Sequence, residues 1–65
     1  MHNFPGNLKA LRKEKNISQT DLAKLFKVSL KTISHWETGY SEPSIEQIIL
    51  LAKHFNITTD ELLGM

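Results

Sequence analysis

The feature that most limits how this chain can fold is a doubled helix-start signal between Ser18 and Glu37, SQTDLAKLFKVSLKTISHWE. Serine caps helices because its oxygen accepts from backbone N–H groups two or three positions on. Asp21 follows Ser18 at the third position, where a carboxylate suits the positive end of a helix dipole. Ile17 and Leu22 bracket that start with the spacing of a hydrophobic staple. The same grammar returns at Val28, Ser29 and Ile33. Two capped starts eleven residues apart leave room for about two turns of helix and one sharp corner.

Two short helices around such a corner make a helix-turn-helix over residues 18–37. The second of them has two faces. Ile33 and Trp36 share one side; Lys31 and His35 share the other, flanked by Ser34 and Leu30. That polar side suits a DNA groove and also suits plain solvent, so the face alone leaves both open. Trp36 is expected in the core with Ile33 rather than as a stacking platform for bases. Leu30 is either overflow from the core or a contact for a thymine methyl group, and the methyl contact is favoured.

Size and composition exclude several classes. At 65 residues this is one domain, near the lower limit for a core without metal or disulfide support. With 40% hydrophobic and 23% charged residues it is expected to fold as a globule rather than stay disordered. It has no cysteine, which fits a reducing cytoplasm. No apolar run approaches the roughly 20 residues that span a membrane, and Met1-His2-Asn3 does not open a signal peptide. His2, His35 and His54 lack the spacing of a metal site, and no nucleophile–base pair or glycine-rich phosphate loop is visible. No catalysis, cofactor, metal or small-molecule ligand is expected. The net charge of +1 neither demands nor forbids nucleic acid, so clustering matters more. Lys24, Lys27 and Lys31 fall inside the motif, whereas Glu42, Glu46, Asp60 and Glu61 come after it.

Taken in order, residues 1–6 read as an N-terminal tail, 7–63 as the folded domain and 64–65 as a C-terminal tail. A first helix should begin between Phe4 and Asn7 and run to Lys15, burying Leu8 and Leu11. Asn16 stops it, since Asn tolerates the left-handed conformation. The second, Ser18 to Phe26, should bury Leu22, Ala23, Leu25 and Phe26. Lys27 then occupies a corner where glycine would be easier. The third runs from Ser29 to about Thr38, closed by Gly39. Tyr40 to Pro43 is extended. Ser44 and Gln47 form a capping box for a fourth helix that buries Ile45, Ile48, Ile49, Leu51, Ala52 and Phe55, and Asn56 ends it. Thr58 and Glu61 form another box, stapled by Ile57 and Leu62, for one last turn. No strand alternation or repeat is present. The fold class is all-α, a compact bundle of five short helices.

With the helices placed, the chain resembles the Cro/phage-repressor helix-turn-helix (XRE) family from Leu8 to Leu62. The carrying residues begin with Leu8, Leu11 and Arg12, then Ile17 to Ala23 and Val28 to Gly39. Pro43-Ser44, Leu51 to Phe55 and Asp60 to Leu63 complete the series. The resemblance implies a lambda-repressor-like fold and sequence-specific binding of double-stranded DNA by a transcriptional regulator, a repressor of bacterial or phage origin, working in the cytoplasm at the nucleoid. In the family the third helix enters the major groove, which makes Ser29, Leu30, Lys31, Thr32, Ser34 and His35 the base-reading candidates. Ser18, Gln19, Lys27, Thr38 and Tyr40 become phosphate contacts, and Arg12 with Glu37 a structural ion pair. The family pairs two-fold, which implies a homodimer at least on DNA and an operator with inverted half-sites; Leu63 and Met65, more apolar surface than one last turn can bury, point to the fifth helix and nearby residues of the fourth as the interface. Two other roles stay open: an antitoxin that also binds a toxin, and an interaction module without DNA affinity.

Overall fold

Four of the five helices start at a side-chain cap, and each of the five closes on a left-handed residue. In the computed structural model, residues 3–65 are described, and they form α1 (Phe4–Glu14), α2 (Gln19–Phe26), α3 (Leu30–Thr38), α4 (Ile45–Phe55) and α5 (Thr59–Leu63). The Asp21 and Thr32 N–H groups donate to Ser18 Oγ and Ser29 Oγ, both at 3.0 Å. Ser44 exchanges bonds with Gln47, and Thr58 with Glu61, as full capping boxes. α1 has no side-chain cap but carries Pro5 in its first turn, where a missing N–H costs nothing.

The C-terminal ends share one device. Asn16, Lys27, Gly39, Asn56 and Gly64 each adopt a left-handed conformation, with φ between 55° and 82°. The next N–H then reaches back over the last turn, as from Ile17 to the Arg12 carbonyl and from Val28 to the Ala23 carbonyl, both at 3.0 Å. Gly64 is doubly constrained. At φ 75° an added Cβ would also lie 3.2 Å from Asn3 Cβ and Asn7 Nδ2. Lys27 holds φ 55° with a full side chain, which strains the corner. Lys27→Gly should therefore stabilise the domain by about 1 kcal/mol, raising Tm by about 4–8 °C in a thermal melt.

The core runs through all five helices. Phe4 and Leu8 come from α1, Leu22 and Ala23 from α2, Ile33 and Trp36 from α3, and Leu62 from α5. α4 supplies the largest share, with Ile48, Leu51, Ala52 and Phe55. α3 packs against both α1 and α2, while α5 bridges α1 and α4. Asn7 strengthens that bridge by donating from Nδ2 to the Leu62 carbonyl at 3.1 Å.

Five burial expectations need correction. Leu25 is 55% exposed, Ile45 79% and Ile49 41%, so none of the three belongs to the core. Phe26 is only partly buried against it. Leu11 likewise packs at the margin rather than inside. Phe4 opens α1, within the expected range of starts, and is 1% exposed. Met1 and His2 lie outside the described residues. No described helix is long and apolar enough to cross a membrane.

Candidate nucleic-acid interface

The two sides of α3 have separate surroundings. Ile33 and Trp36 are 0% and 2% exposed, whereas Leu30 is half exposed and Lys31 is exposed. Ser34 and His35 are half-buried between these extremes. Core packing therefore fixes the rotation of the helix and leaves Leu30 and Lys31 at the surface. Ser29 and Thr32 are less free than their exposure suggests. Ser29 Oγ caps the helix and also lies 2.9 Å from Thr32 Oγ1, so the two hydroxyls are paired with one another.

The far end of α3 gathers three more candidates. The Tyr40 ring, on a residue 80% exposed, sits 4.4 Å from the His35 ring at an interplanar angle of 45°. Thr38 Oγ1 donates to the His35 carbonyl at 3.3 Å, and the Tyr40 N–H donates to it at 3.0 Å. His35, Thr38 and Tyr40 thus form one cluster, placing a base-reading candidate beside two phosphate candidates. Ser18 and Lys27 stand exposed at opposite ends of α2.

Charge follows the same division. Seven of the eight Lys and Arg residues lie at or before Lys31, while four of the seven acids lie after Tyr40. A polyanion is drawn towards the α1–α3 part of the chain and repelled from the α4–α5 part.

Beneath the helix-turn-helix, Arg12 and Glu37 meet in a buried fork. Arg12 Nε donates to Glu37 Oε2 at 2.6 Å and its second guanidinium nitrogen, Nη2, donates to Oε1 at 3.1 Å. The side chains are 10% and 2% exposed. Hydrogen bonding to Glu37 raises the Arg12 pKa, outweighing the loss of hydration that would lower it. Arg12 Nη1 donates to the Ile17 carbonyl at 3.0 Å. Gln19, a phosphate candidate in the sequence, donates from Nε2 to Glu37 Oε1 at 3.1 Å. No sequence pattern pairs Gln19 with Glu37, because they stand eighteen residues apart in different helices. Among the described residues, no three His, Cys, Asp or Glu side chains are grouped to hold a metal ion.

Known proteins are similar to this chain in sequence and fold. Residues 8–62 match the family model described as helix-turn-helix. The chain belongs to the Cro/C1-type (XRE) helix-turn-helix family. It is 44% identical over 57 residues to the HTH-type transcriptional regulator AnsR of Bacillus subtilis, covering 88% of this chain and 49% of that protein. With the HTH-type transcriptional activator BcrR of Enterococcus faecalis it shares 42% over 61 residues, 94% of this chain and 30% of the relative. Antitoxin PezA of Streptococcus pneumoniae is more distant, 31% identical over 89% of this chain and 37% of its own. A crystal structure of a transcriptional regulator from Listeria innocua superposes with a TM-score of 0.95 at 35% identity, covering all of this chain and 61% of that one. The chain therefore spans about a third to a half of the length of the curated relatives it matches.

Proposed function

We propose that this helix-turn-helix chain binds double-stranded DNA in a sequence-specific way and regulates transcription in the bacterial cytoplasm, at the nucleoid, without catalysing a reaction. The observation that carries this reading is the α3 surface of a chain in this family: Leu30 and Lys31 stand outside a core that holds Ile33 and Trp36. Ser29, Leu30, Lys31, Thr32, Ser34 and His35 face the base edges, with Leu30 suited to a thymine methyl and Lys31 to guanine O6 and N7. Ser18, Lys27, Thr38, Tyr40 and the first turn of α2 hold phosphates and fix register. Selection of bound duplexes from random genomic fragments tests the reading. One enriched sequence supports it, and uniform binding or none rejects it. On that sequence, Lys31→Ala or His35→Ala should cost on the order of 1–3 kcal/mol of binding, with the melting transition unchanged. Parental affinity in both variants removes them from the groove.

Two copies on inverted half-sites complete the proposal. The longest extent of the domain is 27 Å, less than the roughly 34 Å between successive major grooves on one side of the duplex. One copy therefore reads one groove. A pairing surface is available in an open apolar groove of about 310 Å³, lined by Ile45, Ile48, Ile49, Thr59 and Leu63 between α4 and α5. Repression follows where such an operator overlaps a promoter, and activation, the role named for BcrR, follows where it lies beside one. The lower similarity to an antitoxin motivates a second role with a toxin partner. Stable co-purification with a neighbouring gene product would favour that role.

A further inference from the structure

The end of α3 brings a phosphate candidate onto a base-reading candidate. Gly39 closes the helix in the left-handed conformation, at φ 82°, and turns the chain back over the last turn. The Tyr40 and Ser41 N–H groups then both donate to the His35 carbonyl, at 3.0 and 3.3 Å. With its backbone held there, Tyr40 has its ring 4.4 Å from the His35 ring, at an interplanar angle of 45°. Contacts across a left-handed closure commonly seal a helix end. Sealing explains this one poorly, since a side chain on a residue 80% exposed keeps little water out. What the contact does restrict is the plane of the imidazole. The ring nitrogens of histidine form their hydrogen bonds in that plane, one donating and one accepting when the ring is neutral. Hydrogen bonds weaken steeply as they bend, so the tilt of the plane decides which base edge the ring can meet.

We propose that Tyr40 is a positioning residue for His35: its ring holds the imidazole plane before DNA arrives and so sets the base preference that His35 reads. This rests on the DNA-binding function proposed above and adds a second task for Tyr40 within it. The two tasks use different parts of one side chain. The hydroxyl is the group that meets a phosphate, which carries no sequence information, while the ring acts on sequence through its neighbour. Holding a side chain in its bound orientation removes the cost of ordering it on binding, and that saving is realised only at the base pair His35 contacts.

The test uses the 65-residue chain and the operator duplex it selects, with fluorescence anisotropy on that duplex and on each of its single-base-pair variants. The base pairs at which His35→Ala loses preference are those His35 reads. At these, Tyr40→Ala should lower the preference about 2- to 10-fold, the cost of ordering one freed side chain, and leave the other base pairs as in the parent. Tyr40→Phe keeps the ring and loses the hydroxyl, so it should weaken every duplex by the same factor and keep the preference. An even loss across all base pairs in Tyr40→Ala, or Tyr40→Phe failing to keep the preference, would overturn the proposal. In a His35→Ala background, Tyr40→Ala should no longer change the preference at those pairs; a further drop would mean that Tyr40 reads them itself, and the proposal would be wrong. NMR on the free protein checks the contact without DNA. The His35 ring-proton resonances should move in Tyr40→Ala and stay near the parent's in Tyr40→Phe, with melting unchanged in both, and resonances identical in all three proteins would remove the contact. If the parent selects no sequence, the DNA-binding reading fails and this role with it, a result distinct from a selected operator whose His35 preference ignores Tyr40.

Discussion

Glu37→Ala is expected to destabilise the domain by about 3–5 kcal/mol, the loss that follows when one partner of a buried ion pair is removed. The size of the effect comes from what remains. The Arg12 guanidinium is 10% exposed and loses both of its hydrogen bonds to the carboxylate, keeping only the one to the Ile17 carbonyl. Gln19 loses its partner as well. A domain of this size has a total stability of only about 3–10 kcal/mol, so the variant should be largely unfolded at 37 °C. Arg12→Met with Glu37→Leu removes both charges together and should recover much of the loss, because neither charge is then stranded. Urea titration followed by circular dichroism measures both variants. A Glu37→Ala melting temperature within a degree or two of the parent would show that the fork contributes nothing.

The sequence revealed the ends of the helices more faithfully than their sides. Ser18, Ser29, Ser44 and Thr58 cap where their residue types and spacings place them, because a cap is a local bond within three residues. Asn16, Gly39 and Asn56 turn left-handed for an equally local reason. Burial is a property of the assembled bundle, and there the errors collect. At 100° per residue, Leu22, Ala23 and Phe26 centre the α2 stripe on a direction about 110° from Leu25, which leaves Leu25 outside despite its type. Ile49 stands at a similar angle from the stripe of Ile48, Leu51, Ala52 and Phe55 on α4. Hydrophobicity without angle overfilled both helices.

The candidate site divides along the same line. The outward turn of Leu30 and Lys31 follows from the inward turn of Ile33 and Trp36, all within one short helix. The Arg12–Glu37 pairing entered through family resemblance, since nothing local joins residues 25 positions apart. Gln19 shows what neither route supplied. Its bond to Glu37 depends on α2 and α3 packing at a particular angle, and only the folded chain contains that angle.

Ile45→Asp should reduce affinity for a two-half-site operator by about 10²–10⁴-fold, the scale on which linked binding exceeds single-site binding. Ile45 lines the apolar groove between α4 and α5 and is 79% exposed, so an isolated domain gains little stability from it. Its substitution should change stability by no more than about 0.5 kcal/mol. Asp at the first position of α4 also meets the positive end of that helix, which opposes any local loss. The base-reading residues lie on α3 and at its cap, away from the change. What the variant loses is pairing. In the proposed two-fold contact the new carboxylate would enter an apolar groove, and its desolvation would oppose closure. Analytical ultracentrifugation on a labelled operator should show two parent molecules per duplex and one variant molecule at the same concentration. Affinity for a single half-site should be unchanged, which separates failed pairing from failed reading. Two variant molecules bound with parental affinity would move the pairing surface elsewhere on the domain, and one parent molecule per duplex with undiminished specificity would remove the dimer altogether.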